Sequence, residues 1–218
     1  MKDAYRAIDA TGKPVKVEMQ ILDGRPVPAL IHASDPTTLL CVGGTGSTHP
    51  GDDGFGSTAA ELLRSAPCSV AVVRGRRDVA ATDDRRIVAA VSESLDESNG
   101  VLQAAFEEAQ RRNAPLAVVA AWQSGFDDLQ NDRAIDDSDR LARYRLDREL
   151  ALWTPRYPEV DLSAVVVYGT FLSYLSEHAG TIQMVTVGAA HASELLQLVG
   201  PAGALALRGS DFSLLLVR

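Results

Sequence analysis

The chain is poor in cysteine, in aromatic side chains and in net positive charge, and each shortage removes a class of function. Only Cys41 and Cys68 are present, too few for the disulfide frameworks that staple small secreted domains, so a reduced, cytoplasmic setting is expected. Cys41 stands in an apolar run and reads as a buried thiol. The four histidines, His32, His49, His178 and His191, are scattered and form no zinc-type spacing with the cysteines. Aromatic residues make up 6% of the chain. Trp122, Trp153 and Tyr157 are spaced too irregularly to stack successive bases and read as packing residues. Asp and Glu number 29 against 21 Lys and Arg, a formal net charge of −8. Such a surface offers no field to attract a nucleic-acid duplex. No apolar run reaches membrane-spanning length, and the first residues are polar rather than signal-like. Nucleic acid and membrane therefore drop out as expected partners.

The 218 residues, 46% of them hydrophobic, suffice for a sizeable core. Runs rich in Val, Ile, Leu and Ala predict strands at Val15–Leu22, Thr37–Val42, Ser69–Val73, Ile87–Val91, Leu116–Ala121, Leu162–Val167, Ile182–Val187 and Phe212–Val217. Helices are expected between them. These are Pro26–Ala33, with proline in its first turn, Ser57–Ser65, a stripe from Val101 to Ala109, Ser138–Trp153, Phe171–His178 and Ala202–Leu207. In the Ser138–Trp153 helix, Leu141, Tyr144, Leu146 and Leu150 form the expected apolar positions. Residues 75–85 are charged and read as a linker, and 125–137 as an acidic loop. Short strands alternating with helices predict a three-layer α/β sandwich with mostly parallel strands covered on both faces.

Two parts of the chain share a layout. Val15 to Gly24 matches Val160 to Gly169, Val42-Gly43 matches Val187-Gly188, and Gly56 to Arg74 matches Gly200 to Arg218. Within the last pairing Leu63/Leu207, Ser69/Ser213, Val73/Val217 and Arg74/Arg218 are identical. Duplication is the expectation that follows, with one partial copy over residues 1–78 and one complete copy over 85–218. The partial copy lacks a first strand, a helix and a second strand. Either the chain is a shortened natural version or its true start lies upstream. The closing strands Ser69–Val73 and Phe212–Val217 are expected to pair within one chain, or the missing elements to favour a homodimer in which one subunit covers the other's gap.

The glycines carry the chemistry. Gly43, Gly46, Gly56 and Ser57 follow the spacing Gly, two residues, Gly, nine residues, Gly, Ser. With the helix and strand that follow, this resembles the universal stress protein family in its tandem two-domain form. The resemblance implies an adenine nucleotide alpha hydrolase-like fold, ATP or another adenine nucleotide at the first glycine loop, and a regulatory role in bacterial stress response without committed catalysis. Gly43, Thr45, Gly46, Gly56, Ser57 and Thr58 are the candidate ligand contacts. Glycine permits close backbone approach, a helix starting at Ser57 would aim its N–H groups at an anion, and the hydroxyls can donate to phosphate oxygens. The plainer alternative is that the glycines only turn the chain and Ser57 only caps the helix.

The loop itself, Ser47 to Phe55, is acidic, and Asp52 and Asp53 would repel phosphate unless they point away or hold magnesium. In the later copy His191 replaces the second glycine and Pro201 the serine, so phosphate binding is not expected there. Ser92 also stands where the family usually places an aspartate. The alternative function is a degenerate member that binds no nucleotide and acts through protein contacts.

Overall fold

The computed structural model describes residues 6, 8–34, 39–44, 55–74, 85–92, 95–122, 132–189 and 211–218. Seven strands among them form one sheet: β1 (Leu39–Gly43), β2 (Ser69–Val73), β3 (Arg86–Val91), β4 (Leu116–Trp122), β5 (Leu162–Tyr168), β6 (Ile182–Gly188) and β7 (Ser213–Val217). Their spatial order is β1-β2-β7-β6-β3-β4-β5. Every neighbouring pair is parallel except β2 and β7, which run antiparallel through Val70↔Leu216, Ala71↔Leu215 and Val72↔Leu214.

Among the described residues the sheet is flanked by helices α1 (Pro26–Ala33), α2 (Ser57–Ser65), α3 (Leu95–Arg112), α4 (Asp132–Leu150) and α5 (Phe171–His178). Strand side chains alternate between faces, and two cores result. On one face Val27 of α1, Leu62 and Leu63 of α2, and Phe171 and Leu175 of α5 pack on Val70, Val72, Val185, Leu214 and Leu216. On the other, Leu102 and Phe106 of α3 and Leu146 and Leu150 of α4 pack on Ala71, Ile87, Ala89, Met184 and Leu215. Phe106 stacks with Trp153 and Tyr157 at centroid distances of 5.7 and 5.0 Å, which gives these aromatics the packing roles expected of them. The result is a single three-layer α/β sandwich.

This corrects the expectation of two tandem copies. The two closing strands do pair within one chain, but as the middle of one continuous sheet and not as the ends of two separate domains. Both cores cross that seam. The seam is fastened reciprocally. The Ser213 hydroxyl accepts the Arg74 N–H and donates to the Arg74 carbonyl, both at 3.1 Å, while Ser69 Oγ accepts the Arg218 N–H at 3.1 Å. The identical Ser and Arg residues of the two matched segments are thus facing halves of one junction. Of the expected linker, 75–84 lies outside the described residues, as do the helix expected at Ala202–Leu207 and most of the acidic loop.

Smaller differences have local causes. The strand expected at Val15–Leu22 takes no regular secondary structure and pairs with no strand among the described residues. Cys41, expected in the core, is exposed, because β1 is the sheet's outermost strand and its burial alternates between exposed and half-buried. Leu141 and Tyr144 are exposed, and only Leu146 and Leu150 of that stripe reach the core.

Candidate functional site: the junction of β1 and α2

Parallel strands place their carboxyl ends on one rim of the sheet, where open α/β folds bind ligands. β1 ends there at Gly43, beside Val73 at the end of β2. The Gly44 N–H donates to the Val73 carbonyl at 2.9 Å, and the Gly56 N–H donates to the Gly44 carbonyl at 2.9 Å. The second bond returns the chain to its departure point, so the start of α2 sits against the end of β1. Gly43, Gly56, Ser57 and Thr58 are thereby brought to one place. Thr45 and Gly46, with Asp52 and Asp53, lie outside the described residues.

Gly56 is the N-cap of α2, with extended backbone (φ −61°, ψ 153°) and no side chain to close the first turn. Ser57 is the first helical residue, one position past the cap the plainer alternative assigned to it. Among the described residues, no side-chain hydrogen bond occupies the Ser57 or Thr58 hydroxyl, and no acidic residue stands in the first turn of α2. The positive end of the helix dipole is therefore not neutralised by its own helix.

Three residues at this junction were not assigned from the sequence. The Arg74 guanidinium carbon lies 5.1 Å from the centroid of the buried Phe55 ring, a cation–π arrangement. A Cβ at Gly44 would lie 2.5 Å from Arg74 Cγ, so glycine here makes room for the arginine stem. Phe55, Gly44 and Arg74 together close the base of the junction and bring a cation to it. The identity of Arg74 with Arg218 in the matched segments was the available signal. Arg218 instead sends Nη2 to the carbonyls of Leu63 and Arg64 at 2.8 and 3.4 Å, at the other end of α2.

At the corresponding rim position after β3, the Ser92 N–H is taken by Ser98 Oγ at 3.3 Å. Cys41 on β1 is partly desolvated by its neighbours. That desolvation, and secondarily the Glu108 carboxylate, push its thiol up from the usual cysteine range, which makes it a poor nucleophile near neutral pH. Tyr168, half exposed, flanks the turn after β5, whereas Phe171 is buried. Among the described residues no cluster of three or more His, Cys, Asp or Glu is arranged to hold a metal, and no helix is long and apolar enough to cross a membrane.

Comparison with known proteins shows what the chain is similar to. Residues 2–74, which contain the β1–α2 junction, match the model of the universal stress protein family. Universal stress protein Rv2028c of Mycobacterium tuberculosis is 39% identical over 214 residues, covering 98% of this chain and 73% of that protein. Universal stress protein Rv2624c of the same organism is 31% identical over 218 residues, covering 100% of this chain and 75% of that protein. Among solved structures, a functionally unknown protein from Pseudomonas aeruginosa PAO1 shares the fold with a TM-score of 0.65 at 18% identity, over 99% of this chain and 75% of that one. The sequence likeness to the mycobacterial proteins runs across the seam and along nearly the whole chain, and on it the chain belongs to the universal stress protein family.

Proposed function

We propose that this chain is a regulatory, non-catalytic universal stress protein that binds an adenine nucleotide at the junction of β1 and α2. The observation that carries the reading is the 2.9 Å bond from the Gly56 N–H to the Gly44 carbonyl. It sets the uncapped first turn of α2 against the end of β1, where a phosphate would meet free amides and hydroxyls. Gly43, Thr45, Gly46 and Gly56 would give the backbone close access to the phosphates, and Ser57 and Thr58 would donate their hydroxyls. Arg74 supplies positive charge at the base of the junction. Magnesium, if it accompanies the phosphates, would be met by Asp52 or Asp53.

Titration calorimetry with ATP, ADP, AMP, cyclic AMP and adenosine tests this. Phosphorylated ligands should bind more tightly than adenosine. Ser57→Ala should weaken ATP about tenfold, the loss of one hydrogen bond to a charged group, while leaving adenosine unchanged. Replacing Gly46 by Leu should abolish binding. Equal affinity of ATP for the wild type and the Gly46→Leu variant would overturn the assignment.

A further inference from the structure

Helix α4 turns two large apolar side chains to solvent on the side away from its core contacts. Ala142, Leu146 and Leu150 recur every fourth residue, and Leu146 and Leu150 pack on the sheet. Positions 141, 144 and 148 lie on the opposite side of the helix. There Leu141 is 49% exposed and Tyr144 64%, and Leu152, in the turn that follows, is 65% exposed. A surface helix ordinarily keeps that side polar. α4 lies against β5, the strand at the opposite end of the sheet from β1.

The same surface is basic in an acidic chain. Between positions 140 and 156 stand Arg140, Arg143, Arg145, Arg148 and Arg156 against Asp147 and Glu149, whereas the whole chain carries −8. α3 neutralises its own arginines: Arg111 pairs with Glu107 and Glu108, and Arg112 with Glu108. On α4, Arg145 and Arg148 enter no ion pair among the described residues, although Glu149 stands one turn beyond Arg145. Arg148 continues the strip of Leu141 and Tyr144, and Arg140 and Arg145 border it on either side.

We propose that the outer face of α4 is the docking surface for an acidic amphipathic helix of a partner protein. That helix lays its apolar stripe over Leu141, Tyr144 and Leu152 and sets its carboxylates against Arg140, Arg145 and Arg148. Leu141, Tyr144 and Arg148 stand at i, i+3 and i+7, the seam positions of two packed helices. The bordering arginines occupy the positions that choose a partner by charge. Tyrosine and arginine are also the side chains that most often anchor protein interfaces. Charge argues against a second copy docking in this mode, because its α4 would bring arginines against arginines. A lipid surface fits less well on two counts. Leu146 and Leu150 hold α4 on the sheet and leave only a narrow strip to insert, and anionic headgroups repel a chain of this net charge. The surface stands apart from the β1–α2 junction and does not depend on a nucleotide there.

Fluorescence anisotropy with a matched pair of labelled synthetic helices tests this. Both carry leucine at a and d of every heptad; one has glutamate at each e and g, the other lysine. The wild-type chain should bind the acidic helix, more weakly as salt rises, and should leave the lysine helix free. Tyr144→Ala should weaken that binding about tenfold, the loss of one interface anchor, with an unchanged thermal melt because Tyr144 is exposed. Arg145→Glu combined with Arg148→Glu should reverse the preference, so that the lysine helix binds and the acidic one does not, a result that misfolding cannot produce. Failure of the wild type to bind the acidic helix would overturn the proposal. So would equal binding of both helices, or an unchanged preference in the double variant. Co-sedimentation of the wild type with phosphatidylserine vesicles would overturn it too, by assigning the face to a lipid surface.

Discussion

Thr186 carries an unmet demand in the core. It is fully buried in β6, between Ala89 of β3 and Leu215 of β7, and its hydroxyl has no hydrogen-bond partner. A buried hydroxyl without a partner costs about 1–3 kcal/mol, and valine offers the same branched shape without the polar atom. Thr186→Val should therefore raise the unfolding free energy by about 1 kcal/mol in urea titration with an unchanged denaturant slope, and a loss of stability would show that the hydroxyl is satisfied in solution. Single residues were also where sequence reading was weakest. Cys41 lies in an apolar run, and only its place on the outermost strand leaves it exposed. Arg74 stood out in the sequence only as the match of Arg218. Its role depends on the Phe55 ring and the missing side chain of Gly44, neighbours that folding supplies and spacing does not encode.

Elements were more legible, because each is set by a local pattern. α1, α2 and α5 and the strands β2 to β7 stand within a residue or two of where apolar periodicity and turn residues put them. The glycine spacing likewise located the β1–α2 junction. Val15–Leu22 is the exception that shows the limit: alternation specifies a strand's faces, but a strand also needs a neighbour. Pattern anticipated that β2 and β7 could pair, but not that this seam joins both parts into one continuous sheet. There the Ser213 hydroxyl, on a side chain only 8% exposed, serves both the N–H and the C=O of Arg74. Ser69 serves one exposed group, the Arg218 N–H. Ser213→Ala removes two partly buried hydrogen bonds and should cost about 2 kcal/mol, whereas Ser69→Ala should cost well under 1 kcal/mol, since water can replace that bond. Urea denaturation of both variants checks the order, and equal costs would mean that the seam is held by strand pairing and packing alone.

At the scale of the molecule, the same seam decides how the fold comes apart. Tandem domains would each own a core and could melt separately. Here Leu62, Leu63, Val70 and Val72 before the seam share one buried cluster with Val185, Leu214 and Leu216 after it, and Ala71 on the opposite face joins Ile87, Ala89 and Leu215. Neither side can lose its structure without exposing apolar surface on the other, at about 25 cal/mol for each Å² uncovered. Scanning calorimetry should therefore show one transition with calorimetric and van't Hoff enthalpies in agreement. A destabilising change on either side of the seam, such as Leu62→Ala or Phe106→Ala, should lower that single transition by several degrees without splitting it. Two resolved transitions, with Leu62→Ala moving only one of them, would mean that the cores on the two sides of β2 and β7 fold independently despite the shared sheet.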